Sequence, residues 1–238
     1  MKIALIGYGK MGRAIEQIAL GKGHDIVLRI DADNTAELTA ANLARADVAI
    51  EFTGPESAPS NIKTCIDYRI PVVSGSTGWL KQWDEIKTIC EQQQGALVYA
   101  SNFSIGVNLF FELNKYLAKL MEPYPSYNVS LKEIHHTQKK DAPSGTAITL
   151  AEQVLSHIRS KQQWVNHPSE NKNELVIDSE RTDPAPGTHS VSYRSPVDDI
   201  EIIHTAHNRE GFAGGAVLAA EFILGKKGIY SMPQVLGF

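Results

Sequence analysis

The sequence is poor in the features that would take it away from an ordinary globular protein. Only two cysteines, Cys65 and Cys90, occur in 238 residues. Both fall in stretches with helical spacing, so free thiols in a reducing compartment are expected rather than a disulfide framework. No apolar run approaches the ~18 residues of a membrane span. The first run, "IALIG", is broken by glycine too soon to act as a signal peptide. Basic residues are not in excess: the formal net charge is −4, which leaves no electrostatic footprint for nucleic acid or an anionic membrane. Internal repeats and low-complexity tracts are missing. These absences point to a cytoplasmic protein with a small-molecule partner, no nucleic acid and no membrane.

What is there is a chain long enough to bury roughly 70% of its unfolded surface without a metal or disulfide staple. Up to about Ser104, short apolar runs ("KIALIG", "DIVLRID", "DVAIEFT", "PVVSGST", "GALVYAS") alternate with amphipathic stretches. Near-continuous apolar strands separated by helices predict a doubly wound, Rossmann-like parallel sheet covered on both faces. Beyond that point the pattern changes. "IGVNLFFELNKYLAKLM" has helical spacing, "YNVSLKEIHH" alternates with period two, "GTAITLAEQVLSHI" is helical, and "HSVSYRS" and "DDIEIIHTAH" alternate again. Residues 161–187 are polar and Pro-rich, and read as a loop with a short strand at "ELVID". The final "GFAGGAVLAAEFILGKKG" predicts a helix that packs back onto the first sheet. Residues 1–104 and 207–238 are thus expected to form a dinucleotide-binding domain. Residues 105–206 are expected to form an inserted α+β substrate domain with a mixed, largely antiparallel sheet.

"GYGKMG" spells G-x-G-x-x-G with Gly7, Gly9 and Gly12. It follows a strand, opens a helix, and is followed about twenty residues on by Asp31 at the end of the second strand, as the dinucleotide fingerprint requires. Gly7 suits the tight turn, Gly9 the close approach of a pyrophosphate, and Gly12 the packing of helix on strand. Asp31 as a ribose ligand favours NADH, whereas Lys10, Arg13 and Arg29 offer charge for a 2′-phosphate; NADH and NADPH both stay open. "SGSTG" (residues 74–78) and "ASNFS" (residues 100–104) stand at the carboxyl ends of predicted strands, where ligands bind in such sheets. "FTGPES" reads equally as a helix start.

The stretch "EIHHTQKKDAPSGTA", residues 133–147, is the densest chemistry in the chain. Neighbouring strand residues point to opposite faces, so His135 and His136 do not act on one atom, and parity alone does not say which is catalytic. For the same reason they make a poor metal pair; neither cysteine is near, no H-x-x-x-H spacing occurs, and no metal is expected. Lys139 and Lys140 bring fixed positive charge beside a titrating imidazole. Asp141 or Ser144 caps a helix whose first turn holds Gly145 and Thr146. Its open amides suit a carboxylate. A cation, an imidazole and a helix mouth together suit reduction of a small dicarboxylate substrate by a nicotinamide, with histidine donating a proton.

This block resembles the signature of the dihydrodipicolinate reductases, also called 4-hydroxy-tetrahydrodipicolinate reductases. "GYGKMGRAI", "GSTG", "ASNFSIGVN" and "NREGFAGGA" fall in that family's order, so the resemblance covers nearly the whole chain except residues 161–187. It implies NAD(P)H-dependent reduction of 4-hydroxy-tetrahydrodipicolinate in diaminopimelate and lysine biosynthesis. It implies His135 as proton donor with Lys139 as the second catalytic group, and His136, Gly145 and Thr146 as substrate ligands. Cofactor contacts would come from Gly7, Tyr8, Gly9, Lys10, Met11 and Gly12, from Asp31, from Gly75, Ser76, Thr77 and Gly78, and from Ala100, Ser101, Asn102 and Phe103. A homotetramer built through the second domain's sheet is implied as well. Two departures bear on cofactor choice: the glycine loop is one residue shorter than the common form, and Ala32 follows Asp31 where some members carry arginine. Other amino-acid dehydrogenases, and a non-catalytic nicotinamide sensor, share the first domain's pattern but have no need of the His-His-Lys block.

Overall fold

The computed structural model describes residues 1–238. In chain order the elements are β1 (Lys2–Ile6), α1 (Lys10–Gly21), β2 (Asp25–Ile30), α2 (Ala40–Leu43), β3 (Val48–Glu51), α3 (Ala58–Asp67), β4 (Val72–Ser74), α4 (Trp83–Gln92), β5 (Ala96–Tyr99), α5 (Ile105–Met121), β6 (Asn128–His135), α6 (Gly145–Leu155), β7 (Gln163–Val165), β8 (Glu174–Arg181), β9 (Thr188–Arg194), β10 (Asp199–Thr205), α7 (Glu210–Ile223), β11 (Gly228–Tyr230) and α8 (Met232–Leu236). They divide into two compact units, residues 1–105 with 209–238, and residues 106–208. No helix is long and apolar enough to cross a membrane.

In the first unit six strands run parallel in the order β11-β5-β4-β3-β1-β2. Alternation splits their side chains between two layers. Ile3, Leu5, Ile50 and Val73 pack with Ile15 of α1 and the alanine-rich face of α7. Ala4, Ile6, Ala49 and Val72 pack with Ile62 of α3 and Ile86 of α4. Burial on both faces explains why these strands read as unbroken apolar runs. The last helical stretch does return to this sheet. β11 was not legible: three half-buried residues after two lysines carry too little apolar pattern.

The second unit is a five-stranded sheet, β10-β9-β6-β8-β7. The sheet is mixed, as expected, and one part of the expectation is corrected. Two of its ladders are antiparallel (β10–β9 and β9–β6) and two parallel (β6–β8 and β8–β7), so the sheet is evenly mixed rather than largely antiparallel. The Pro-rich segment holds the strand expected at "ELVID" and adds to it: β8 runs eight residues, and the three-residue β7 pairs with it. "ELVIDSER" has only two fully buried side chains, Leu175 and Ile177, and its polar half hides the strand's full length from a hydrophobicity pattern. Val129 and Leu131 of β6, Leu175 and Ile177 of β8, and Val191 and Tyr193 of β9 form one apolar layer against α5 and α6.

Candidate functional site

In the nucleotide unit, Gly7 sits at φ +94°, and its N–H donates to the Ile30 carbonyl at 2.8 Å. A Cβ on Gly7 would lie 2.2 Å from the Phe52 carbonyl oxygen, and one on Gly12 would lie 2.2 Å from the Gly7 carbonyl oxygen. Packing therefore forbids any side chain at either position. Gly9 differs: nothing lies within 4 Å of a Cβ built there. It is also the residue preceding α1, and no side chain caps that helix. The first-turn amides are left for an anion, and the bare backbone lets it approach. The loop therefore fits a pyrophosphate on its own geometry.

Around the loop, Lys10 is exposed and Met11 half-buried. The Tyr8 hydroxyl donates to Glu16. The Arg13 and Arg29 guanidinium carbons lie 5.5 and 5.8 Å from the Tyr8 ring centre. Arg29 is held by Glu16 as well, and that contact lowers the Glu16 pKa against the cost of burial. Asp31 lies just past β2, exposed, with Oδ1 accepting the Ala32 N–H at 2.9 Å. Thr77, Gly78 and Ser101 are exposed, and Gly75, Ala100 and Asn102 partly so. Ser76 and Phe103 turn inward. The Ser76 hydroxyl donates to Glu51 at 2.8 Å, and Phe103 packs on Phe52 with ring centres 5.7 Å apart.

In the second unit the polar cluster grows out of the sheet's own register. Val129, Leu131, Glu133 and His135 share the buried face of β6. Glu133 pairs across the ladders with Ser179 and His189, and His135 pairs with Arg181. The apolar layer therefore ends, one step along each strand, in Glu133, His135, Ser179, Arg181 and His189. Glu133 is fully buried. It accepts from the Ser144 N–H at 3.1 Å to both oxygens, from the Ser179 hydroxyl at 2.7 Å and from Arg181 at 3.0 Å. His189 Nε2 is 3.0 Å from Ser144 Oγ, and His135 Nδ1 is 3.4 Å from Glu133. The His135 and His189 rings meet edge to face, 5.0 Å between centres.

Burial by itself would push the Glu133 carboxyl up. The groups of His189, Ser144, Ser179 and Arg181 around it win, and hold it well below the ordinary carboxylate range. The His135 imidazole is pulled down to about 4, first by burial, then by His189, against the attraction of Glu133. Glu133, His135 and His189 bring ligand-capable atoms within 4.8 Å of one another. The two imidazoles face Glu133 Oε2, at 3.4 and 3.7 Å, and the Arg181 guanidinium lies 3.0 Å from Oε1.

Ser144 caps α6, its Oγ accepting the Ala147 N–H at 3.2 Å. The Gly145 and Thr146 amides that follow have no intrahelical partner; Gly145 is exposed and Thr146 partly so. Lys139 Nζ lies 2.8 and 2.9 Å from the Asp141 carboxylate oxygens, and its charge also lowers the His135 pKa. His136 lies past the end of β6, outside the buried cluster, and acts electrostatically on Asp183. The structure thus joins His135 to the Ser144 cap and sets His136 apart. Glu133, Ser179, Arg181 and His189 escaped the sequence reading. Parity with Val129 and Leu131 was the signal that could have singled out Glu133 and His135. Nothing local marked Ser179, Arg181 or His189, which lie 44 to 56 residues beyond Glu133 and His135 and reach them only through sheet register.

A parallel sheet carrying a glycine loop, with a second unit that holds a buried imidazole–carboxylate cluster at a helix mouth, defines a two-unit oxidoreductase of the dinucleotide-binding class. The comparisons with known proteins narrow this. Residues 1–103 match the family model for dihydrodipicolinate reductase, N-terminus, and residues 106–236 that for its C-terminus. The chain is 48% identical over 236 residues, covering 99% of it and 98% of the relative, to the 4-hydroxy-tetrahydrodipicolinate reductase of Christiangramia forsetii. Its fold is similar to that of the dipicolinate-bound dihydrodipicolinate reductase from Paenisporosarcina sp. TG-14, with TM-score 0.78, 22% identity and 97% of each chain covered. A probable dehydrogenase from Thermotoga maritima is similar at TM-score 0.58 and 9% identity, over 99% of this chain and 92% of that one. The chain belongs to the dihydrodipicolinate reductase family.

Proposed function

We propose that this protein reduces 4-hydroxy-tetrahydrodipicolinate to tetrahydrodipicolinate, with loss of water, at the expense of NADH or NADPH in diaminopimelate and lysine biosynthesis. The observation that carries the reading is the join between His135 and the mouth of α6 through Glu133 and Ser144. A bound reduced nicotinamide supplies the hydride. The protein's own groups do the rest.

The open first-turn amides of α6, with Thr146, hold a substrate carboxylate. Lys139 adds positive charge, released from Asp141 when a stronger anionic partner arrives. His136, outside the buried cluster, serves as a further contact to the substrate. His135 starts neutral at neutral pH. A dianionic substrate beside it raises its hold on a proton, which is the direction a proton donor requires. Glu133 stays ionised throughout, holding the Ser144 amide and facing the His135 ring.

The cofactor contacts follow from the loops: Gly7 to Gly12 for the pyrophosphate, Asp31 for the adenine ribose, and residues 75–78 and 100–103 for the nicotinamide side. Ser76 and Phe103 contribute through their backbone, since their side chains face inward. A cytoplasmic homotetramer completes the reading. The edge strand β10, with Ile200 and Ile203 exposed, supports assembly through that sheet.

The test is oxidation of NADH and of NADPH by the purified chain, coupled to the synthase that forms the hydroxy-imine. Turnover dependent on both coupled substrates is expected. A chain that binds dinucleotide yet oxidises neither cofactor would overturn the assignment.

A further inference from the structure

Strand β3 ends on a carboxylate that solvent does not reach. Glu51 is 0% exposed and has no lysine or arginine partner. Its Oε2 accepts from the Ser74 hydroxyl at 2.6 Å. Its Oε1 accepts from the Ser76 hydroxyl at 2.8 Å, from the Thr53 N–H at 2.8 Å and from the Thr53 hydroxyl. Four donors converge on one carboxylate, three on Oε1 and one on Oε2. Two come from Thr53, just past β3, one from Ser74 at the end of β4 and one from Ser76 in the segment that leaves it.

The place of this cluster in the sheet gives it meaning. Glu51 pairs with Ile6 on one side and Ser74 on the other. In the order β11-β5-β4-β3-β1-β2 the winding reverses between β1 and β3, and ligands of open α/β sheets bind at such a reversal. Phe52, next to Glu51, is wedged between two glycines. Its carbonyl oxygen would lie 2.2 Å from a Cβ on Gly7, and its ring 2.2 Å from a Cβ on Gly75. The segments leaving β1, β3 and β4 are therefore locked to one another through one aromatic residue and one anion. An apolar side chain could fill the same space without the desolvation cost of a buried charge. A carboxylate differs in that it grips both segments at once.

We propose that Glu51 is a positioning residue for the dinucleotide: it fixes residues 75–78, on the nicotinamide side, relative to the Gly7–Gly12 loop under the pyrophosphate. This rests on the dinucleotide reading above and adds to it a residue that is out of ligand contact. A purely structural role would disturb all nucleotide binding together. A positioning role separates the two halves of the cofactor.

The experiment is calorimetric titration of the full chain with NADH and with ADP, which reaches only the glycine-loop side. Loss of hydrogen bonds to a charged acceptor is worth about tenfold or more in affinity. Glu51→Ala should therefore weaken NADH by about tenfold or more while ADP holds within about twofold. Glu51→Gln, which keeps the carbonyl acceptor and offers an amide to the Ser74 oxygen, should restore most of the NADH affinity. If Glu51→Ala does not fold, Ser76→Ala removes a single donor, and a selective loss of NADH binding is again expected. Equal losses for NADH and ADP, or no loss for either, would overturn the proposal. A wild-type chain that binds neither NADH, NADPH nor ADP sinks the dinucleotide reading itself, and the proposal with it.

Discussion

His189 and Ser144, 45 residues apart in sequence, share a hydrogen bond of 3.0 Å beneath the first turn of α6. The serine is the helix cap, and the histidine rests edge-on against His135. The pair thus ties the proposed proton donor to the proposed carboxylate cradle. Replacing His189 with leucine removes the tie and leaves the packing volume. We expect the KM for substrate to rise about tenfold, the loss of a buried hydrogen bond, with a smaller fall in kcat. His189→Gln, whose amide reaches the same distance as Nε2, should recover most of it. Steady-state kinetics of the two variants checks this; equal behaviour of leucine and glutamine counts against it.

Glu133 is the acceptor that holds β6, β8 and the α6 cap together. Removing it by alanine leaves the Ser144 amide without its acceptor and Arg181 without its anionic partner. A loss of ~3–5 kcal/mol in unfolding free energy is expected, as for breaking a buried ion pair. Glu133→Gln, which keeps an oxygen acceptor, should lose less. Denaturant melts of both variants decide the order.

Stability should fall with acid in two stages. The His135 pKa of about 4 lies below the ordinary value of about 6.5. The unfolded chain therefore takes up a proton that the folded one refuses, and stability falls as pH drops from about 6.5 towards 4. Glu133, held low in the folded state, extends the loss below about pH 4.3, where an unfolded glutamate protonates. His135→Gln should flatten the first stage and Glu133→Gln the second, in melts across that pH range.

Pyridine-2,6-dicarboxylate, a planar mimic of the proposed substrate, should inhibit. Lys139→Ala and Thr146→Ala should each weaken inhibition by about tenfold, the scale of a charge-assisted contact. If both leave inhibition unchanged, the α6 mouth is not the carboxylate site.

Asp31 is exposed past β2 with only its own turn to hold it. As a ribose ligand its loss should cost NADH about tenfold in affinity. NADPH, whose 2′-phosphate the carboxylate repels, should lose less or gain. Parallel titrations of Asp31→Ala with the two cofactors give the ratio.

Much of this was legible without coordinates. The apolar runs of β1 to β5 read as a buried parallel sheet because both faces are covered. Gly7, Gly9 and Gly12 read as a dinucleotide loop because only glycine meets the sterics now seen at Gly7 and Gly12. α5 stands where spacing puts it, and of the two caps the sequence offers for α6, Asp141 or Ser144, the structure selects Ser144. Two strand limits were not legible: β8 runs past "ELVID" into residues that alternate weakly, and β11, at the edge of the first unit's sheet, is three residues beside two lysines.

Sequence alone determined which chemistry the chain carries, since glycine sterics, helix capping and strand alternation act over a few residues. It could not choose between His135 and His136, nor find Ser179, Arg181, His189 or the four donors around Glu51. Those depend on which strands become neighbours and in what register. That register is set by burying apolar faces from distant segments together, an energy summed over the whole sheet. No local pattern carries it.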